Sequence, residues 1–323
     1  MSRLHDIAAK DGTMKRPLVS VIVPTYNNAK LIPDTLESIF GQSYSPVEII
    51  VVNDGSTDET AEVVERFTSR GTLRIYTQKN QGDIAARNKG IELSEGDYIA
   101  FCDSDDIWNR DHVRLLVDQL ERCPEAGMVF DNVAYFVHPG EEENKEASPA
   151  GGEERLLVEA ARAKTIAATP VSLQDLYTDN LITTSAFMVP KRVFARVGVF
   201  DRDIYLMNDL HFFYRIAAYY AVRFVDYVGV RKRVHPASLS MVNTHHEYGV
   251  NCLENIRERY PEVYRRIGKR IFNKKLGRKY FRLGLHYEKY GDVKKAKDMY
   301  KKALLTRRWS FRYYWEYIRA SLL

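Results

Sequence analysis

Asp103, Asp105 and Asp106 place three carboxylates within four positions. Like charges held that closely repel one another unless something positive sits among them. A hard divalent cation, bound by oxygen and shared with substrate phosphates, is one such partner. A solvated loop or a helix cap would also draw on aspartate in this pattern. Position favours the ligand: Tyr98 to Cys102, just before the cluster, is an apolar run that reads as a short buried strand. In open α/β sheets, ligands bind beyond the carboxyl ends of strands.

That position depends on the elements around it. Val19 to Pro24 is a β-branched strand stopped by proline, and Thr25 to Asn28 is a turn. Leu31, Leu36 and Ile39 then follow at helical spacing. Val47 to Val52 is a second apolar strand running into Asn53-Asp54-Gly55-Ser56-Thr57-Asp58, where Gly55 suits a tight turn and Ser56, Thr57 or Asp58 can cap the next helix. Leu73 to Thr77 is a third strand, and Gly82 opens a loop before a helix over Ala85 to Leu93. Alternation with short connections predicts a parallel, doubly wound sheet over the first 130 or so residues. Further strands are expected at Met128 to Val137, Ser185 to Val189 and Arg223 to Val230, with helices near Val193 and over Asp209 to Tyr220. Arg231 to Ser240 then reads as a loop.

Beyond about Glu247 only helical patterns remain. Tyr280 to Leu305 follows the spacing of one tetratricopeptide-type hairpin, which cannot bury its own face and must cap the domain or a partner. The resulting division is a flexible segment at 1–16, an α/β domain at 17–245 with a mobile acidic loop at 139–155, and a helical extension at 246–323. The tail from Arg307 to Arg319 mixes cations with large aromatics. That suits either the surface of an anionic bilayer or packing on the preceding hairpin.

Hydrophobic content of 45% and charged content of 28% are those of an ordinary globular chain, and the net charge of +5 is modest. Three cysteines without a CxxC pair argue for a reduced compartment and against structural zinc. No apolar run approaches bilayer length, and Met1 to Arg16 lacks the apolar core of a signal peptide. The expectation is a cytoplasmic protein, with peripheral contact at the inner face of the membrane if the tail binds lipid. The basic C-terminal third carries no nucleic-acid recognition motif.

Taken together, four stretches resemble family 2 glycosyltransferases of the GT-A type. They are Val21-Ile22-Val23-Pro24-Thr25-Tyr26-Asn27, Asn53 to Asp58, Gly82 with Ala86-Arg87-Asn88, and Asp103-Ser104-Asp105-Asp106. The likeness covers Pro17 to Ser240. It implies a Rossmann-like, mixed but mostly parallel sheet flanked by helices, which binds a nucleoside diphosphate sugar with Mn or Mg. Pro24 and Tyr26 would line the base pocket, Asp54 would accept from a uracil N–H, and Arg87 would reach the diphosphate. Asp103 would face the ribose and Asp105 the metal, while Asp106 would fix the loop. Trp108 would stack on a sugar or pack in the core.

The resemblance also implies a base on the acceptor hydroxyl, drawn from an acidic pair ahead of an aromatic-rich helix. Here the pair is Asn208-Asp209, so Asp209 is the candidate, with a helix N-cap as the plainer role. Arg233 and His235, in the loop after the last strand, would approach the diphosphate or the metal. The implied activity is inverting sugar transfer, most simply from a UDP-sugar, to a glycan or lipid-linked acceptor. A scaffold with impaired catalysis is the alternative suggested by Asn208. A nucleotidyltransferase fits less well, because Pro24 to Asn27 lacks the Gly-rich basic loop such an enzyme uses.

Overall fold

The computed structural model describes residues 16–136, 171–178, 182–234, 245–306 and 311–322. The acidic stretch at 139–155 and His235 lie outside them. The sheet has eight strands: β1 (Val19–Thr25), β2 (Val47–Asn53), β3 (Leu73–Thr77), β4 (Tyr98–Phe101), β5 (Ile107–Trp108), β6 (Ala126–Phe136), β7 (Phe187–Pro190) and β8 (Ala221–Arg233). Their order is β3-β2-β1-β4-β7-β6-β8-β5. The four strands β3, β2, β1 and β4 run parallel. Every residue of β1 is buried, so its Val and Ile side chains pack on both faces, as a central parallel strand requires. Helices α1 (Ile32–Phe40), α2 (Thr60–Thr68) and α3 (Asp83–Leu93) make the crossovers.

The sheet is not parallel throughout the first 130 residues. β7 inserts between β4 and β6, antiparallel to both, and β8 is parallel to β6 but antiparallel to β5. Strand–helix alternation reports local connection lengths. It carries no information about a strand that arrives from 60 residues downstream. The last strand is also longer than its apolar part suggests, taking in Arg231, Lys232 and Arg233.

Helix α4 (His112–Arg122) backs β6 and β8 and brings a buried pair with it. His112 Nδ1 lies 2.7 Å from Asp131 Oδ2, and both side chains are fully buried. Burial pushes the Asp131 carboxyl up to about 6, against the pull of His112. Gly229 on β8 leaves room for them: a Cβ there would stand 1.7 Å from Asp131 Oδ2 and 2.3 Å from His112 Nδ1. Gly229→Ala is therefore expected to cost about 3 kcal/mol or more, since it overpacks the core and displaces a buried pair. A denaturant midpoint equal to that of the unsubstituted protein would contradict this close approach.

Helices α5 (Leu173–Thr178), α6 (Phe194–Val197) and α7 (Asn208–Ala217) cover the second half of the sheet. Five more follow: α8 (His245–Arg259), α9 (Pro261–Ile267), α10 (Lys269–Lys289), α11 (Val293–Thr306) and α12 (Phe311–Leu322). The α10–α11 hairpin buries Ala296, Tyr300 and Ala303, and the Tyr300 hydroxyl donates to Glu288 at 2.6 Å. One cluster of buried side chains runs from Ile22 in β1 to Ala320 in α12, so these helices share a core with the sheet. The aromatics of α12 divide between two surroundings. Tyr313 stacks on Phe281 at 4.8 Å, whereas Phe311, Tyr314 and Trp315 are exposed. Among the described residues no helix is long and apolar enough to cross a membrane.

Candidate active site

The carboxyl ends of β1, β2 and β4 meet along one edge of the sheet, and the acidic loop hangs from β4. Ser185, which the sequence did not single out, is its anchor. The Ser185 hydroxyl accepts from the Asp103 N–H at 3.0 Å and donates to Asp106 Oδ2 at 2.6 Å. Asp106 is fully buried, and its Oδ1 accepts from the Arg233 N–H at 3.2 Å. Burial, opposed by Lys232, pushes its carboxyl up to about 7. Asp106 thus holds the loop. Trp108 belongs to the same support rather than to a sugar site: it is 3% exposed, and its Nε1 donates to the Ser185 carbonyl at 2.9 Å.

Arg87 projects from α3 into this edge and is itself buried. Its guanidinium donates to Asp83 Oδ2 at 2.5 Å and Asp103 Oδ1 at 3.0 Å, and more distantly to Asn208 Oδ1 at 3.4 Å. Burial works against its charge, but Asp103 and Asp83 outweigh that and raise its pKa. The reciprocal effect holds Asp103 below the ordinary carboxylate range, since Arg87 and Lys232 overcome the penalty of burial.

Lys232 is the cation that sequence reasoning missed. Its Nζ lies 3.5 Å from both Asp103 Oδ2 and Asp106 Oδ2. Burial disfavours its charge, yet Asp106, Asp103 and Asp105 together raise its pKa. Extending β8 through Arg233 would have revealed it, because alternation along a strand sends Lys232 to the face opposite Arg231 and Arg233. Those two arginines instead flank Phe136, each guanidinium 4.9 Å from the ring. Arg233 is therefore a strand residue and not a loop residue. It is buried at the end of β8, bonded to the Asp105 carbonyl at 3.3 Å and to Asp34 at 3.1 Å. The compensating carboxylates come from distant parts of the chain, which allows so charged a run to continue a strand.

Asp209 sits in the first turn of α7. It is not the N-cap: that position is Met207, in the left-handed region with no side-chain cap. Asp209 Oδ1 accepts from the Leu210 N–H at 2.7 Å. Burial raises its pKa, and Arg87, Asp103 and Lys232 all act on its titration, so it faces the same cluster. Asn208 is buried and fixed by Arg87 and by the Tyr205 carbonyl, 3.2 Å from its Nδ2. His211 is buried and bonded to Asn255, and burial lowers its pKa to about 3. It therefore stays neutral and structural.

Asp54 lies at the end of β2, where it organises the Gly82 loop. Its Oδ1 accepts from Gln78 Nε2 at 2.7 Å and the Gln81 N–H at 2.9 Å, and its Oδ2 from the Gly82 N–H at 2.7 Å. Pro24 is buried in β1, and Tyr26 just beyond is 49% exposed, so strand-end packing does not explain Tyr26. Among the described residues, no three His, Cys, Asp or Glu side chains converge as a ready metal cage. The carboxylates of the loop after β4 are oxygen donors of the kind a hard divalent cation takes when substrate phosphates complete its shell.

Asp54, Arg87, Asp103 and Lys232 therefore lie at one sheet edge, within a chain whose residues 20–181 match the family model of Glycosyl transferase family 2. The match takes in just over half of the 323 residues. The chain belongs to this family. Within it, the putative teichuronic acid biosynthesis glycosyltransferase TuaG of Bacillus subtilis is 39% identical over 122 residues, which is 37% of this chain and 47% of that protein. Glycosyltransferase GlyG of Streptococcus pneumoniae is 38% identical over 117 residues, covering 36% of this chain and 38% of its own length. The chain spans less than half the length of either relative.

Solved structures extend the likeness over the whole fold. S. aureus TarS in complex with UDP-GlcNAc superposes with a TM-score of 0.61 at 19% identity, covering 88% of this chain and 81% of that one. Mannosyltransferase PcManGT from Pyrobaculum calidifontis, in complex with GDP-Man and Mn2+, gives 0.55 at 20% identity, covering 96% and 87%. At these identities the shared property is the GT-A fold.

Proposed function

We propose that the chain is a cation-dependent, inverting glycosyltransferase that moves a sugar from a nucleoside diphosphate sugar to a hydroxyl acceptor in cell-envelope glycan synthesis. The observation that carries this is the meeting of Arg87, Asp103, Lys232 and Asp209 at the strand ends that also bear Asp54 and Tyr26. Residues 17–245 would hold the donor and the reacting hydroxyl, and residues 246–323 would help present the acceptor. Neighbours bound to UDP-GlcNAc and to GDP-Man with Mn2+ support the donor class. The choice of a UDP-sugar rests on Asp54.

In this reading Tyr26 and Pro24 line the base pocket and Asp54 accepts from the base. Arg87 and Lys232 meet the diphosphate, Asp103 orients the ribose, and Asp105 and His235 would hold the cation. Once bound, that cation would supply charge neutralisation as the nucleoside diphosphate departs. Asp209 accepts the proton of the attacking hydroxyl from the face opposite the leaving group. Its first-turn position keeps the carboxylate fixed relative to Arg87, which is the positioning proton transfer needs.

Release of nucleoside diphosphate from a panel of nucleotide sugars, with Mn2+ or with chelator, tests the proposal. Cation-dependent release from one sugar nucleotide is expected. No release from any of them, with no thermal stabilisation by UDP or GDP, would remove the transferase assignment. Asp54→Ala should lower UDP affinity at least tenfold and also lower the melting temperature, because three donors lose their acceptor. Unchanged UDP affinity would take Asp54 out of the base pocket.

A further inference from the structure

A second charged feature lies away from the strand ends, between α5 and α10. It is a groove of about 470 Å³ into which Lys274, Lys275, Arg278, Lys279 and Arg282 converge. They recur at three- and four-residue spacings and so share one face of α10, while Phe272, Leu276 and Tyr280 turn the opposite face to the core. Tyr177 and Ile271 help form its walls, and among the described residues no carboxylate lines it. Among the described residues no carboxylate pairs with Lys274, Arg278, Lys279 or Arg282. These four cations, gathered in one concavity with no carboxylate partner among the described residues, repel one another. The Lys279 ammonium registers this: its pKa is lowered by burial and then by Arg282.

The groove touches α7, the helix whose first turn carries Asp209. Lys275 Nζ donates to the Tyr177 carbonyl and to the Tyr214 hydroxyl, the latter at 3.3 Å. Tyr214 lies five residues along α7 from Asp209, about 7–8 Å of helix rise.

We propose that this groove binds an acceptor polymer carrying regularly spaced phosphates or carboxylates and guides it toward Asp209. The inference rests on the transferase assignment above and adds the acceptor's charge to it. A linear polyanion suits the site better than a bilayer does. The cations face into a concavity rather than a plane, and the exposed apolar side chains beside them on this helix face are only Ile271 and, a turn beyond Arg282, Leu285, fewer than a lipid surface would need. The exposed aromatics Phe311, Tyr314 and Trp315 belong to a different helix.

The test uses the full chain and the triple variant Lys274→Ser, Arg278→Ser and Arg282→Ser, all exposed positions. Binding of labelled oligo(glycerol phosphate), oligogalacturonate and neutral dextran is followed by anisotropy, alongside binding of UDP and of phosphatidylglycerol vesicles. At least one anionic oligomer should bind, dextran should not, and the triple variant should weaken the oligomer tenfold or more. Added salt should weaken it further. UDP affinity should stay within twofold. Comparing the two oligomers tells phosphate from carboxylate recognition. Oligomer binding that is unchanged in the variant, or matched by dextran, overturns the inference. So does loss of vesicle binding in the variant when neither oligomer binds, which would make the groove a membrane surface. Failure of the unsubstituted chain to bind UDP overturns the donor assignment instead, and leaves the oligomer result to judge the groove.

Discussion

Asp209→Asn is expected to lower the rate of sugar transfer by two to four powers of ten, the contribution a positioned proton acceptor typically makes. UDP affinity should remain within a few-fold, because the side chain meets the acceptor and not the nucleotide. The folded state has little to lose. Asparagine keeps an oxygen for the Leu210 N–H, and the N-cap at Met207 does not use this side chain. The change should therefore leave stability nearly unchanged, since burial already disfavours the charged carboxylate.

The pH profile supplies an independent check. A base must be ionised to accept a proton, and burial raises the Asp209 pKa. Transfer should therefore fall on acidification at a pH above the ordinary carboxylate range, and that acid limb should vanish in Asp209→Asn. Turnover within a few-fold of the unsubstituted rate, at unchanged melting temperature, would end this assignment.

Asp105→Ala should abolish measurable transfer and remove the part of UDP affinity that depends on Mn2+ or Mg2+. The prediction follows the likeness to family 2 glycosyltransferases, which assigns the last aspartate of Asp103-Ser104-Asp105 to the cation, and the loop's place beyond the carboxyl end of β4, where a hard cation can be shared with substrate phosphates. Calorimetric titration of UDP with and without the cation separates the two contributions. In the variant, the affinities with cation and with chelator should coincide. Full activity of the unsubstituted chain in excess chelator, or near-normal turnover of the variant, would refute the cation role. Lys232, already among the carboxylates, would then be the natural candidate to carry the charge.

Local signals in the sequence were enough to place the strands that end at Thr25, Asn53, Thr77 and Phe101. Apolar runs, a proline stop and Gly-bearing turns fix a strand and its exit without reference to distant partners. The resemblance to family 2 glycosyltransferases then singled out Tyr26, Asp54, Arg87, Asp103 and Asp105 on or beside those strand ends. The helical hairpin over Tyr280 to Leu305 was legible for the same reason, since its apolar spacing is a local property. Tertiary structure decided everything that depends on charges meeting across the chain. Arg231, Lys232 and Arg233 read as a solvated loop in isolation, but Asp34, Asp103 and Asp106 make the same run the end of a buried strand. Only the folded chain shows Ser185 beneath the acidic loop, or β7 between β4 and β6. A like-charged run cannot be buried at any affordable free energy until opposite charges arrive, and sequence spacing does not record their arrival.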